Sequence, residues 1–283
     1  MITVALVGAG RWGRKLAKSF AERAYIKSVA SLGNKENLDK LCDLVPNICV
    51  SSLQNILSDN EIDAVIVASP INTLGNIAIK CLKSGKHVFL EKPGAHTSKQ
   101  IKLIQSAKGD KVCLINYLYL VDPTYLSFKQ ALSPEKVIEA NFVWHKWGSF
   151  SNDILLNLFS HDAALLIDCL GIIPTKRHTN ISENSCKLSL DCGSLEVNIH
   201  IDRQKKEKIK TVMFKTDTKK LIWKPGYFLL QYHNGYENVK ATSSSDLIDE
   251  QRDRFINHVT LNDGFTNLNL AESVLRTIQE IRE

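Results

Sequence analysis

The chain has 283 residues, of which 44% are hydrophobic and 23% charged, and a formal net charge of +6. That length allows two domains of ordinary size with a substantial core, and the composition is that of a soluble globular protein. The modest positive charge suits an anionic ligand, but there is no dense basic block interleaved with aromatics, so no nucleic-acid partner is expected.

The seven cysteines (Cys42, Cys49, Cys81, Cys113, Cys169, Cys186 and Cys192) are odd in number and form no C-x-x-C pair. Disulfide frameworks and zinc sites have tighter spacing, so no metal site is expected and the thiols read as small buried hydrophobes. That usage points to a reducing, cytoplasmic compartment. The first strand begins at Ile2, which leaves no room for a signal peptide, and no apolar run approaches the ~20 residues that span a bilayer. No membrane partner is expected.

Up to about residue 120 the chain alternates. Apolar, β-rich runs occur at Ile2–Val7, Ile26–Ser31, Ile48–Val50, Ala64–Ser69, His87–Leu90 and Val112–Asn116. Between them lie segments with helical period, at Arg11–Arg23, Lys35–Leu44, Asn72–Lys83 and Ser98–Ala107. Strands alternating with helices predict βαβ units and a doubly wound parallel sheet covered on both faces; the continuous apolar run Ala64–Ala68 fits burial on both sides. After Asp122-Pro123 the grammar changes. A helix over Thr124–Leu132 leads to a strand over Val137–Trp147 and a long apolar helix, Ile154–Leu170, stopped by Gly171. From Ser185 to Tyr232 strand follows strand, which predicts an antiparallel meander, and a last helix covers Leu268–Arg282. The expected architecture is α/β: a Rossmann domain over 1–120 and an α+β domain over 121–283 whose mainly antiparallel sheet keeps one face open. The lysines at 205, 206, 208, 210, 215, 219, 220 and 224 read as the solvated face and edges of that sheet.

Gly8-Ala9-Gly10-Arg11-Trp12-Gly13 directly follows the first strand and opens the first helix. Gly8 permits the tight turn, Gly10 lets the backbone approach a pyrophosphate, and Gly13 lets the helix pack against the strand; Arg11 and Trp12 lie at the helix N-terminus, whose free N–H groups favour phosphate. Strand before and helix after are the context a dinucleotide-binding turn requires. Rossmann sheets that prefer NAD usually end the second strand with an acid for the ribose 2′-hydroxyl. Here the strand runs into Ser31-Leu32-Gly33-Asn34-Lys35, with no acid. Ser31 can bond a 2′-phosphate and Arg11, Asn34 or Lys35 can neutralise it, so the cofactor is expected to be NADP or NAD, with NADP favoured.

Gly85-Lys86-His87-Val88-Phe89-Leu90-Glu91-Lys92-Pro93 delivers an acid, a lysine and a proline to a strand end. In an open parallel sheet, ligands lie outside the carboxyl ends of the strands, so Lys92 is aimed at whatever the glycine turn holds. His87, inside the strand, reads as structural.

With both motifs placed, the chain resembles the Gfo/Idh/MocA oxidoreductase family. The resemblance runs from Asp63-Ala64-Val65-Ile66-Val67-Ala68-Ser69-Pro70 through Ala78 and Leu82 to Glu91-Lys92-Pro93. Asn116-Tyr117, followed by Asp122-Pro123, is similar to the family's domain junction, and Asn152–His161 to its substrate-site helix. The resemblance implies an NAD(P)-dependent enzyme acting on CH–OH groups of sugars, polyols or their derivatives. It implies Lys92 as the main acid/base, with His161 and Asn157 as the other catalytic positions. The cofactor would meet Gly8, Gly10, Arg11, Trp12, Gly13, Ser31, Lys35, Ser69, Pro70, Glu91, Lys92 and Asn116. It also implies a homo-oligomer formed through the C-terminal sheet, and a Pro93 that shapes its turn, often through a cis bond. The chain departs from the family's pattern at five places, one of them Ser69-Pro70-Ile71 where the family has Thr-Pro-Asn. Asn157 holds the position of an aspartate, Phe159 that of a glycine, Leu74 that of a histidine, and Leu118 and Tyr119 follow Asn116-Tyr117 in place of an arginine.

Oxidising a carbinol by hydride transfer also requires removal of the hydroxyl proton; Lys92 suits that task if desolvation and a neighbouring nicotinamide cation depress its pKa. Asn157 and His161 are four apart on a helix and share a face, where they can hold two hydroxyls. An asparagine accepts no proton, so the aspartate–histidine relay is incomplete; Asp153 and Asp162 are the substitutes in reach, and Trp144, His145, Trp147 and Tyr119 are candidate lining residues. Two alternatives stay open. One is a catalytically weak or silent cofactor-binding sensor or assembly protein; the other is a reductase of a non-sugar carbonyl or imine.

Overall fold

The computed structural model describes residues 1–132, 136–148, 153–232 and 246–283, and the backbone of 235–239. In chain order the first elements are β1 (Thr3–Val7), α1 (Arg11–Phe20), β2 (Tyr25–Ala30), α2 (Lys35–Leu44), β3 (Cys49–Val50), α3 (Leu53–Ser58), β4 (Ala64–Val67), α4 (Ile71–Lys83), β5 (His87–Glu91), α5 (Ser98–Lys108) and β6 (Cys113–Asn116). Then follow α6 (Pro123–Leu132), β7 (Val137–His145), α7 (Ser160–Leu170), β8 (Thr175–Ile181), β9 (Ser185–Cys192), β10 (Leu195–Asp202), β11 (Ile209–Thr216), β12 (Lys219–Lys224), β13 (Tyr227–Tyr232), β14 (Gly235–Val239), α8 (Leu247–Leu261) and α9 (Leu268–Arg282). Two compact units result: Met1–Tyr117 with Asp246–Glu272, and Leu118–Ser245 with Ser273–Glu283.

The first unit is built on a six-stranded sheet in the order β3-β2-β1-β4-β5-β6, every pairing parallel. This is the doubly wound dinucleotide-binding order, which opens a crevice at the carboxyl ends where the winding reverses. The central strands β4, wholly apolar, and β5, apolar between His87 and Glu91, are buried along their whole length, as strands covered on both faces are. Four of its helices start on side-chain caps: Asn34 for α2, Ser52 for α3 and Thr97 for α5 each accept a backbone N–H three residues on, and Asp246 for α8 accepts one two residues on. α1 starts at Gly10 without one. The polypeptide returns late in the chain to complete this unit. Phe255 of α8 meets Phe20 and Phe89 edge-to-face, with centroids 6.1 and 5.4 Å away, and the buried Arg252 donates to the Ser19 carbonyl at 2.8 Å and pairs with Glu22. Asn267 closes the β6 edge: its side chain accepts from the Ile115 N–H at 2.8 Å and donates to the Ile115 carbonyl at 2.9 Å.

The second unit holds an eight-stranded sheet in the order β14-β13-β12-β11-β7-β10-β9-β8. The expected meander is corrected here. β7, earlier in sequence, inserts between β10 and β11 and pairs parallel with β10, so the sheet is mixed, with every other pairing antiparallel. Its strands alternate buried and part-exposed residues, the pattern of a sheet with one covered face. α6 lies on that face: Tyr125 packs against Trp223, and Phe128 against Phe214 and Phe228. Asp122 ties the start of α6 to the sheet. One carboxylate oxygen accepts the Thr124 N–H at 2.8 Å and the other the Gly226 N–H at 3.2 Å.

The expected helix Ile154–Leu170 is two pieces, a π-helical turn over Leu155–Phe159 and then α7, which ends at Gly171 in the left-handed region. Of the cysteines, Cys81, Cys113, Cys186 and Cys192 are buried as expected, whereas Cys49 is exposed at the sheet edge. Among the described residues, no helix is long and apolar enough to cross a membrane, and no cluster of His, Cys, Asp and Glu is arranged to hold a metal.

Candidate functional site

The glycine turn is shaped by contacts that exclude side chains. Gly8 has φ +103°, and a Cβ there would lie 2.4 Å from the Ala68 carbonyl oxygen; a Cβ at Gly13 would lie 1.9 Å from the Gly8 carbonyl oxygen. A Cβ at Gly10 would meet nothing within 4 Å. Gly8 and Gly13 are therefore required by the fold, while Gly10 leaves open space at the start of α1. The helix has no side-chain cap, so its first N–H groups and the positive end of its dipole are presented to that space. Arg11 and Trp12 are exposed there. Arg14, which the motif reading passed over, holds the turn from inside by donating to the Ala9 carbonyl at 3.0 Å.

Beyond β2, the Ser31 hydroxyl accepts the Ala9 and Gly33 N–H groups at 3.3 and 3.2 Å. Its own proton is left to donate. Asn34 caps α2 through its side-chain oxygen, accepting from the Asn37 N–H, which leaves its NH2 group to donate to a phosphate; Lys35 is exposed in the first turn of α2. Beyond β4, the Ser69 hydroxyl accepts from Thr73 at 2.9 Å, and Pro70 opens α4.

β5 and β6 end side by side, with Glu91 opposite Asn116. The buried Asn116 amide donates to the Glu91 carboxylate at 2.7 Å. Burial pushes the Glu91 carboxyl up, opposed by this hydrogen bond and by the charge of Lys92. Among the described residues, the Asn116 Oδ1 has no hydrogen-bond partner, an expense for so buried an acceptor and an invitation to a donor from a ligand. Lys92 follows at the strand end, joined to Pro93 by a cis bond. His87 is structural in the way its sequence position suggests: its Nδ1 accepts the Val112 N–H at 3.0 Å, and burial holds its pKa down.

In the second unit, His161 stands in the first turn of α7 and Asn157 inside the π turn, so the two lie on one element across a change of helical pitch. Such π turns recur at functional sites. The Asp153 carboxylate accepts the Leu156 N–H at 2.9 Å and pairs with Arg282 at 2.9 Å; it anchors the segment. Asn152, in the segment similar to the family's substrate-site helix, lies outside the described residues. The His161 ring is 5.5 Å from that of Tyr119 and 5.4 Å from that of Trp144. The other two aromatic candidates separate from it: His145 lies on the opposite face of the sheet, 5.6 Å from His200, and Trp147 is exposed. Leu74 and Phe159, at positions where the family resemblance implies polar or small residues, are buried.

One expectation is overturned here. Lys210, read with its neighbours as part of a solvated face, is buried at 8% exposure and paired with Asp162, which is fully buried. Burial pushes the Asp162 carboxyl up and the Lys210 ammonium down, and their attraction opposes both shifts. The Lys210 ammonium also lies 4.0 Å over the Trp144 ring.

The parallel sheet with its uncapped, glycine-lined first helix defines a Rossmann nucleotide-binding domain. Residues 2–117 match the family described as "Oxidoreductase family, NAD-binding Rossmann fold", so over this domain the chain is similar to the Gfo/Idh/MocA oxidoreductases. Among curated relatives, it is 37% identical over 81 residues to inositol 2-dehydrogenase 1 of Saccharopolyspora erythraea, a stretch covering 28% of this chain and 24% of the relative. It is 32% identical over 113 residues to an uncharacterized oxidoreductase of Streptococcus pneumoniae, covering 40% and 30%. These matches thus span a third or less of the relatives' lengths. Solved structures share the fold end to end. A biliverdin reductase from Synechocystis, in complex with biliverdin and NADP+, aligns with a TM-score of 0.84 at 18% identity over 99% of this chain and 98% of that one. A UDP-N-acetylglucosamine 3-dehydrogenase from Acidithiobacillus ferrooxidans aligns with a TM-score of 0.86 at 16% identity, covering 99% and 96%.

The open space at Gly10, the uncapped α1 and the unpaired Asn116 oxygen fit a dinucleotide of the NAD(P) type. Gly10→Ala separates binding from folding, because its Cβ meets no protein atom yet occupies the space where a pyrophosphate would approach. Its thermal midpoint should stay at the wild-type value while NADPH affinity falls roughly tenfold or more. Unchanged affinity by fluorescence titration would contradict the assignment of this turn.

Proposed function

We propose that the protein is an NAD(P)-dependent oxidoreductase that moves a hydride between nicotinamide and a CH–OH or C=O carbon of a sugar, polyol or sugar derivative. The observation that carries this reading is a shared edge: the Gly8–Gly13 turn follows β1 and Lys92 follows β5, and both strands flank β4 in one parallel sheet. The inositol dehydrogenases among the relatives supply the substrate class.

When bound, the cofactor supplies the hydride acceptor or donor. The chain's own residues do the rest. Gly8, Gly10, Arg11, Trp12 and Gly13 hold the pyrophosphate, Ser31 and Lys35 the adenosine ribose, and Ser69, Pro70, Glu91 and Asn116 the strand-end positions beyond. Lys92 takes the hydroxyl proton in oxidation and returns it in reduction. His161 and Asn157 bind substrate hydroxyls, with His161 as a second proton carrier. A second reading, cofactor binding without turnover, is favoured by Asn157, whose amide cannot accept a proton where the resemblance implies an aspartate.

Three outcomes test this account. Lys92→Ala should cut kcat by ~10²–10⁴-fold on whichever member of a polyol and sugar panel the wild type turns over, and leave NADPH affinity within about threefold, since general acid–base help acts in the transition state. Undiminished turnover would remove Lys92 from the mechanism; NADPH binding with no turnover across the panel would favour the silent reading. The absence of an acid in residues 31–35, with the Ser31 proton and Lys35 available, makes NADPH the tighter ligand, and tighter binding of NADH in the same titration would refute that preference. The part-exposed outer face of the second unit's sheet is the surface assigned to self-association. Light scattering should give a mass above that of the 31.8 kDa chain, and a monomer at all working concentrations would remove that assignment.

A further inference from the structure

Lys210 and Asp162 form an ion pair buried in the second unit, at 8% and 0% exposure. Lys210 follows the alternation of β11, sharing the covered face with Val212 and Phe214, and lies opposite Trp144 of β7. Its ammonium bonds Asp162 Oδ1. Among the described residues, Asp162 Oδ2 has no hydrogen-bond partner. Burying such a pair is weak evidence for stability, because apolar residues of similar volume often serve the fold as well or better. The surrounding packing does not need it: Trp223, Tyr125, Phe128, Phe214 and Phe228 already form a continuous aromatic core on this face.

The position of the pair shows what it touches instead. The Lys210 ammonium lies 4.0 Å over the Trp144 ring and 5.6 Å over that of Tyr119. These are the same two rings that flank the His161 imidazole at 5.4 and 5.5 Å. Asp162 is the residue next to His161 in the first turn of α7. Lys210 therefore grips both the aromatic walls of the histidine and the backbone turn that carries it.

We propose that the Lys210–Asp162 pair is the positioning device of His161. The cation holds the Trp144 ring in place, the carboxylate pins the first turn of α7 to β11, and the imidazole is thereby fixed between Tyr119 and Trp144. The inference rests on the reading of His161 as a substrate-binding group, and its consequence is catalytic only if that reading holds.

The test uses the full chain and two independent readouts. Lys210→Met alone strands a buried carboxylate and should lower the thermal midpoint by roughly 10 °C. Lys210→Met with Asp162→Leu removes both charges at similar volume and should return the midpoint to within about 3 °C of wild type. In the wild type, the His161 ring protons should be shifted upfield by the ring currents of Trp144 and Tyr119, read by NMR with labelled histidine. In the double variant that shift should collapse despite the recovered midpoint, and kcat should fall roughly 10–100-fold with NADPH affinity unchanged. Asp162→Asn, which keeps the shape and one acceptor oxygen, should give the same displacement at smaller amplitude and serves if the double variant does not fold. Native His161 resonances in a stable variant lacking the ion pair would overturn the proposal, whatever the turnover. Displaced resonances in a protein whose wild type turns nothing over would uphold the positioning and defeat the enzymatic reading.

Discussion

The constraint on which the first unit depends is the near-contact of two backbones. With 1.9 Å between a notional Cβ at position 13 and the Gly8 carbonyl oxygen, and 2.4 Å between one at position 8 and the Ala68 carbonyl oxygen, β1, α1 and the end of β4 are locked together with no side chain between them. That closeness places the N-terminus of α1 at the carboxyl edge of the sheet, uncapped. The same edge ends in Ser31, Ser69, Glu91, Lys92 and Asn116. A polar edge arises because each apolar strand stops there, and the parallel order brings all the stops to one side.

The second unit solves a different problem. Its sheet is covered on one face by aromatic side chains, and within that apolar layer Lys210 of β11 pairs with Asp162 of α7. Desolvating two charges costs several kcal/mol per ion after relaxation, and only a close pair recovers it. The neighbours of the pair are the rings around His161. Among the described residues, the buried acceptors without a hydrogen-bond partner include Asn116 Oδ1 and Asp162 Oδ2, which adjoin the groups assigned to function, and Gln251 Oε1, which does not. Unpaired buried acceptors are uncommon enough to call for a reason.

The first 120 residues were legible because parallel strands buried on both faces are unbroken apolar runs and their helices carry caps and period. Lys35–Leu44 is reproduced residue for residue. What escaped did so for physical reasons. β8 (Thr175–Ile181) is a polar edge strand, exposed along most of its length, with no alternation to detect. The insertion of β7 between β10 and β11 is a long-range pairing that no local pattern encodes. α8 carries signals in Asp246 and the acids of its first turn, yet its mixed charged face hides the stripe that packs Phe255. Lys210 was readable: in Lys210-Thr211-Val212-Met213-Phe214 the period of two puts it on the face of Val212 and Phe214. Counting it with its exposed neighbours obscured a buried charge. The glycine turn and the Glu91-Lys92-Pro93 strand end were visible from spacing alone, whereas the partners of His161 required the sheet order.

The central claim is that a hydride passes between a nicotinamide held at the first unit and a substrate carbon. Its most direct measurement is isotopic. The protein would be incubated with NADPH deuterated at the transferable C4 position and a panel of keto-sugars and ketopolyols, and the products read by mass spectrometry and NMR. The account predicts one deuterium on the new carbinol carbon. A protein that binds the labelled cofactor and leaves every carbonyl unlabelled would contradict it.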